Sequence, residues 1–174
     1  MKKAVKWLAL VLAAALTMLL LTACGDEVAT EEEENKLTRA TETDAVITLP
    51  EGMDPEAHFA TQYTETGATM VFNSISDYDT GYFTVPSGSL TIRAKATGEA
   101  EGMKSFKVAV WKKVDNGAEY VPNSTIYYYT NDKVNTYTLE GLDPSAQYRL
   151  NLSYDAYRRH IFGQLQMDGV APIA

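Results

Sequence analysis

The sequence predicts an all-β protein, an antiparallel β-sandwich, and three observations carry that prediction. From residue 45 onward the apolar residues recur with a period of two, in runs of five to ten positions. Gly, Pro, Asn and Asp punctuate those runs, as turn residues between short strands do. Beyond the apolar N-terminus, no stretch of useful length repeats apolar residues at helical spacing. About nine short strands account for the pattern.

Residues 45–49 (Ala-Val-Ile-Thr-Leu) read as a short strand stopped by Pro50, which has no N–H to give a ladder. Residues 54–62 suit one short helical turn, with Pro55 at a first helical position. Residues 68–72 and 81–85 are rich in β-branched and aromatic side chains. Over 89–96, Leu90, Ile92 and Ala94 share one face and Arg93 and Lys95 the other. Over 104–113, Phe106, Val108 and Val110 oppose Ser105, Lys107, Ala109 and Trp111. Asp115-Asn116-Gly117 then supplies residues that tolerate positive φ in a tight turn. Residues 125–130 and 133–139 are two strands joined by Asn131-Asp132. Over 147–155, Tyr148, Leu150, Leu152 and Tyr154 point inward and Arg149, Asn151 and Ser153 outward. A last strand covers 160–167, and residues 169–174 are a short tail.

The N-terminus has a different character. Lys2, Lys3 and Lys6 precede an uncharged run, 7–23, that is dominated by Leu and Ala and ends in Leu21-Thr22-Ala23-Cys24. This ending resembles the lipobox of bacterial lipoproteins. The resemblance implies that residues 1–23 are a signal peptide, and that Cys24 is acylated and becomes the new N-terminus. An uncleaved membrane anchor is the competing reading, although seventeen residues fall at the short edge of a spanning helix. The implied location is the extracytoplasmic face of a cell membrane, with Cys24 as the lipid attachment site and the membrane as a partner. Residues 24–44 hold Asp26, Glu27, the Glu31 to Glu34 run, Glu42 and Asp44 against Lys36 and Arg39. Such a segment cannot bury enough apolar surface to order itself, so a disordered acidic tether is expected there. The sandwich domain then spans 45–174.

Leu139-Glu140-Gly141-Leu142-Asp143-Pro144-Ser145-Ala146-Gln147-Tyr148 resembles the junction between the fifth and sixth strands of fibronectin type III domains. Leu142, Pro144 and Tyr148 match the residues that close the loop, shape it, and return a tyrosine hydroxyl to the backbone. The resemblance covers about 137–154 and implies an immunoglobulin-like sandwich. There is no early-strand Trp of the usual kind, and the strands before Gly81 exceed a seven-strand plan. A jelly-roll or another augmented sandwich therefore stays open beside the fibronectin type III plan.

Charge and composition exclude some functions. The whole chain carries −8, and removing the three leader lysines gives −8 − 3 = −11. Phosphate backbones would repel such a chain, so no nucleic-acid partner is expected. Cys24 is the sole cysteine, which rules out an intramolecular disulfide. His58 and His160 are the only imidazoles, and neither lies in a nucleophile–base pattern. Ligand spacing for zinc is absent, and no cofactor is expected. Asp77 and Asp79, alternating in one loop, are a weak calcium candidate; as a turn-forming pair they need no metal.

Aromatic residues carry the functional expectation. All eleven tyrosines follow the tether, and Tyr127-Tyr128-Tyr129 stand in one strand, so Tyr127 and Tyr129 share a face and Tyr128 takes the other. Trp111 falls opposite the apolar face of its strand, beside Lys107 and Lys113. Exposed flat rings suit stacking on sugar C–H faces or contact with a protein; packed across strands, the same rings are simply good strand formers. The expectation is a non-catalytic binding or adhesion module for a glycan or protein, with Trp111, Tyr127, Tyr128 and Tyr129 as contacts. The alternatives are an accessory subunit of a cell-envelope complex and, behind it, a small hydrolase.

Overall fold

The computed structural model describes residues 37–173. Cys24, the signal peptide and most of the expected tether lie outside these residues. Thirteen strands run in order: β1 (Thr41–Glu42), β2 (Phe59–Tyr63), β3 (Gly67–Ile75), β4 (Asp77–Asp79), β5 (Phe83–Thr84), β6 (Leu90–Gly98) and β7 (Ser105–Val114). There follow β8 (Gly117–Tyr120), β9 (Ile126–Tyr129), β10 (Asn131–Leu139), β11 (Gln147–Ser153), β12 (Ile161–Asp168) and β13 (Ala171–Pro172). Among the described residues there is no helix.

The strands form two antiparallel sheets, one in the order β1-β10-β6-β12-β3-β2 and the other β13-β5-β11-β7-β8, with β4 paired to β11 and β9 to β7. From β3 to β13 the chain passes back and forth between the sheets, with β4 and β5 together, and β7, β8 and β9 together, in the second. The pairings are nested: β3 with β12, β4 and β5 with β11, β6 with β10, β7 with β8 and β9. One long antiparallel ribbon wound around itself produces that nesting, and its name is a jelly roll. The fibronectin type III plan, in which neighbouring strands fold mainly as sequential hairpins, is not the connectivity found.

The core is the sequence's period-two pattern read across the gap between the sheets. Leu90, Ile92, Leu165, Met167, Met70 and Phe72 of the first sheet meet Phe106, Val108, Val110, Leu150 and Leu152 of the second, all fully buried. Each such side chain contributes about 1.5–3 kcal/mol on leaving water. The fibronectin-like decapeptide keeps its local geometry within this different topology. The Tyr148 hydroxyl accepts from the Asp143 N–H at 2.8 Å and sits 3.3 Å from the Asp143 carbonyl. A tyrosine corner thus needs only a crossover between sheets, whichever way the remaining strands are joined.

Four local expectations are corrected. The tether was expected to reach residue 44, but Ala40 is 3% exposed, and 38–43 is a strap along the sandwich edge. Ala40 donates to the Tyr127 carbonyl and Tyr127 to the Thr38 carbonyl, both at 2.9 Å, and Thr43 donates to Val134 at 2.9 Å. Its backbone supplies partners that two edge strands would otherwise lack, which offsets its acidic composition. Residues 45–49 form no strand. Residues 54–62 form no helix: the Asp54 side chain accepts from the Glu56 N–H at 2.9 Å in a turn, and Phe59–Tyr63 pairs with β3. The tail contains β13, which pairs with β5.

A candidate ligand face on the second sheet

In β7 the buried residues are Phe106, Val108 and Val110, so Lys107, Ala109, Trp111 and Lys113 project from the outer face of the second sheet. Register fixes their neighbours. Arg149, Asn151 and Ser153 of β11 lie opposite Trp111, Ala109 and Lys107. On the other side of β7, Tyr120 lies opposite Trp111, and Tyr127 and Tyr129 lie opposite Lys107 and Ser105. Beyond β11, Asp79 and Asp77 face Asn151 and Ser153. Alternation alone therefore gathers these side chains on one surface.

Three of the four aromatic candidates meet there. Trp111 is half-buried and packs edge-on against Tyr120, with centroids 5.8 Å apart at 68°. Tyr127 is half-buried and Tyr129 exposed, and the Arg39 guanidinium covers both rings at 5.7 and 5.9 Å. Tyr128 leaves the candidate set: it is 0% exposed, and its hydroxyl donates across the sandwich to the Ile92 carbonyl at 3.1 Å. Burial, and then the neighbouring Tyr137, hold its phenol well above the usual tyrosine range.

An open cleft of about 580 Å³ crosses this face, its lining including Asp77, Asp79, Trp111, Arg149, Asn151 and Tyr157. Its polar wall is built in advance. Asn151 Nδ2 donates to Asp77 Oδ1 at 2.8 Å and to Asp79 Oδ1 at 3.1 Å, while Arg149 Nη2 lies 3.0 Å from Asp79 Oδ2. Thr80 pins the segment behind it by exchanging hydrogen bonds with Leu150, 2.8 Å from its N–H and 2.9 Å to its hydroxyl. The Asp77–Asp79 pair, the calcium candidate, is thus bridged by the Asn151 amide, and Asp79 also pairs with the Arg149 guanidinium. Among the described residues no cluster of three or more His, Cys, Asp or Glu could hold a metal ion.

Two further features mark the cleft. Trp111 Nε1 and Arg149 Nε, cross-strand neighbours, are buried without a hydrogen-bond acceptor. Unpaired buried donors cost about 1–3 kcal/mol each, so two side by side are a feature that folding alone does not favour. The β11–β12 loop turns at Arg158, whose φ of 53° lies in the left-handed region that non-glycine residues seldom occupy. It carries Tyr157 82% exposed, with the Arg158 guanidinium 5.1 Å from its ring.

The sequence pattern had placed Arg149 and Asn151 outward without marking them as site residues. Tyr157 escaped notice because a loop has no periodicity to show what it faces, and Arg39 because it stood in the expected tether. His160, outside any nucleophile–base pattern in the sequence, lies with Nδ1 3.2 Å from Glu99 Oε2.

No family model matches the chain, and no curated protein matches it. Among solved structures it is similar to the N-terminal cellulose-binding domain of Cellulomonas fimi β-1,4-glucanase C, at 14% identity over 64% of this chain and 80% of that one, with a TM-score of 0.30. A likeness of that size carries no argument for fold or for ligand.

Proposed function

We propose that the protein is a non-catalytic glycan-binding module, held at the extracytoplasmic face of a membrane by acylated Cys24, with the outer face of the second sheet as its ligand surface. The single observation that carries the reading is the cleft itself, where Trp111 and the exposed Tyr157 share a lining with a preformed polar wall. A pyranose ring presents apolar C–H faces that stack on aromatic rings and a rim of hydroxyls that needs directed hydrogen bonds. The cleft offers both. The anchor rests on the Leu21-Thr22-Ala23-Cys24 motif and on the uncharged run before it.

The full chain, purified in detergent, should bind members of a polysaccharide panel. Trp111→Ala should weaken that binding at least about tenfold, equivalent to about 1.4 kcal/mol, with an unchanged circular dichroism spectrum. Silence across the panel, together with stoichiometric co-purification of an envelope protein, would replace the reading by that of an accessory subunit. For the anchor, labelled palmitate should enter the native chain in a bacterial host and not the Cys24→Ala variant; equal labelling of both would end the claim.

A further inference from the structure

We infer that the ligand of this face is an uncharged, polyhydroxylated chain, and that Asp77 and Asp155 serve as acceptors for its hydroxyl groups. The inference rests on the glycan-binding reading and concerns which chemical class of glycan fits.

Charge balance comes first. Around the cleft, Asp77, Asp79 and Asp155 stand against Arg149, Arg158 and Lys107, three acids against three bases. Two of the bases are paired: Arg149 through Nη2 with Asp79 at 3.0 Å, and Lys107 with Asp155 at 2.6 Å; the third, Arg158, lies over the Tyr157 ring at 5.1 Å. A uronic-acid or phosphate-bearing chain would have to break one of these pairs or draw Arg158 away from its ring to find a cation. It would also approach a domain with eleven Lys and Arg against seventeen Asp and Glu over residues 37–173, a net charge of 11 − 17 = −6.

Hydrogen-bond capacity comes second. Asp77 engages Asn151 through Oδ1, and Asp155 engages Lys107 through Oδ2. The second oxygen of each carboxylate has no partner among the described residues. An ionised carboxylate only accepts, so these oxygens call for donors, and hydroxyl groups are donors. Fixed by their own pairs, the carboxylates are already oriented, which lowers the ordering cost of binding.

The test compares cello-, xylo- and manno-oligosaccharides with oligogalacturonates of equal length, titrated calorimetrically into the full chain in detergent. At least one neutral series should bind, its affinity nearly flat as salt is raised about tenfold, while the galacturonates bind at least about tenfold more weakly. Asp77→Asn keeps an oxygen for Asn151 and replaces the free one by a donor, so it should lower neutral-sugar affinity about tenfold or more. Asp155→Asn, on a separate segment, should act in the same direction and serves where Asp77→Asn perturbs the loop. Galacturonate binding that equals or exceeds neutral binding, and is lost in Trp111→Ala, would overturn the charge assignment while leaving the glycan reading intact. Unchanged affinity in both Asn variants would overturn the acceptor role. No binding by either series would remove this inference and the glycan reading together.

Discussion

Tyr128 points between the sheets and donates to the Ile92 carbonyl, while Tyr127 and Tyr129 point outward beneath Arg39. One peptide step reverses a side chain's face in a strand, so three identical residues meet two environments. Tyr128→Phe removes one cross-sandwich hydrogen bond and should cost about 1 kcal/mol at neutral pH, read from denaturant midpoints. Its pH dependence has a definite sign. The unfolded phenol ionises near 10.0, and burial holds the folded one well above that value. Stability from keeping Tyr128 neutral is therefore complete below pH 10.0 and declines as pH rises beyond it towards the folded value. The native chain should lose more stability than Tyr128→Phe when pH is raised across that point; parallel losses in the two would refute the assignment.

At the scale of elements, the strap and the β11–β12 loop matter most, because neither has a periodic pattern of its own. Residues 38–43 hydrogen-bond first to β9 of the second sheet and then to β10 of the first. The strap thereby covers the seam where two sheet edges meet, and it delivers Arg39 to the tyrosines. Ala40 anchors it at 3% exposure. Ala40→Asp would bury an unpaired charge, and the less costly response is for the strap to detach. Hydrogen exchange should then show lost protection at the amides of Ala40, Thr43 and Tyr127, with β7 and β11 still protected. Loss of protection throughout would show instead that the strap holds the whole sandwich together.

For the molecule as a whole, the wound ribbon sets both the folding and the face. Register pairs Gly67 with Asp168, residues from opposite ends of the domain, and β4 with β11 rather than with a sequence neighbour. Non-local pairings of this kind must close long loops before they are rewarded, so refolding after denaturant dilution should take milliseconds to seconds; a microsecond phase carrying all the amplitude would contradict that expectation. The same winding sets β4 beside β11 and β11 beside β7. Asp77, Asn151 and Trp111 thereby share a cleft, although more than thirty residues separate each from the next along the chain.

Much of this was legible from residue patterns. Alternation in Leu90, Ile92 and Ala94, in Phe106, Val108 and Val110, and in Tyr148 to Tyr154 identified the strands and their buried faces, because the pleat has a period of two whatever the fold. Turn chemistry marks the hairpin at Asp115-Asn116-Gly117, which turns at Asp115-Asn116, and the stretch from Leu142 to Tyr148 carries the resemblance to a tyrosine corner. What these local signals lack is any statement of which strand lies beside which. The jelly-roll order, the strap from Ala40 to Thr43, and the meeting of Trp111 with Arg149, Asp77 and Tyr157 are matters of register between distant segments. Backbone hydrogen bonds can join any two strands, so the packing of the whole core selects among pairings. Alternation thus marks the long strands and the faces they bury, while the pairing of distant segments, selected by the packed core, brings their opposite faces together in one cleft.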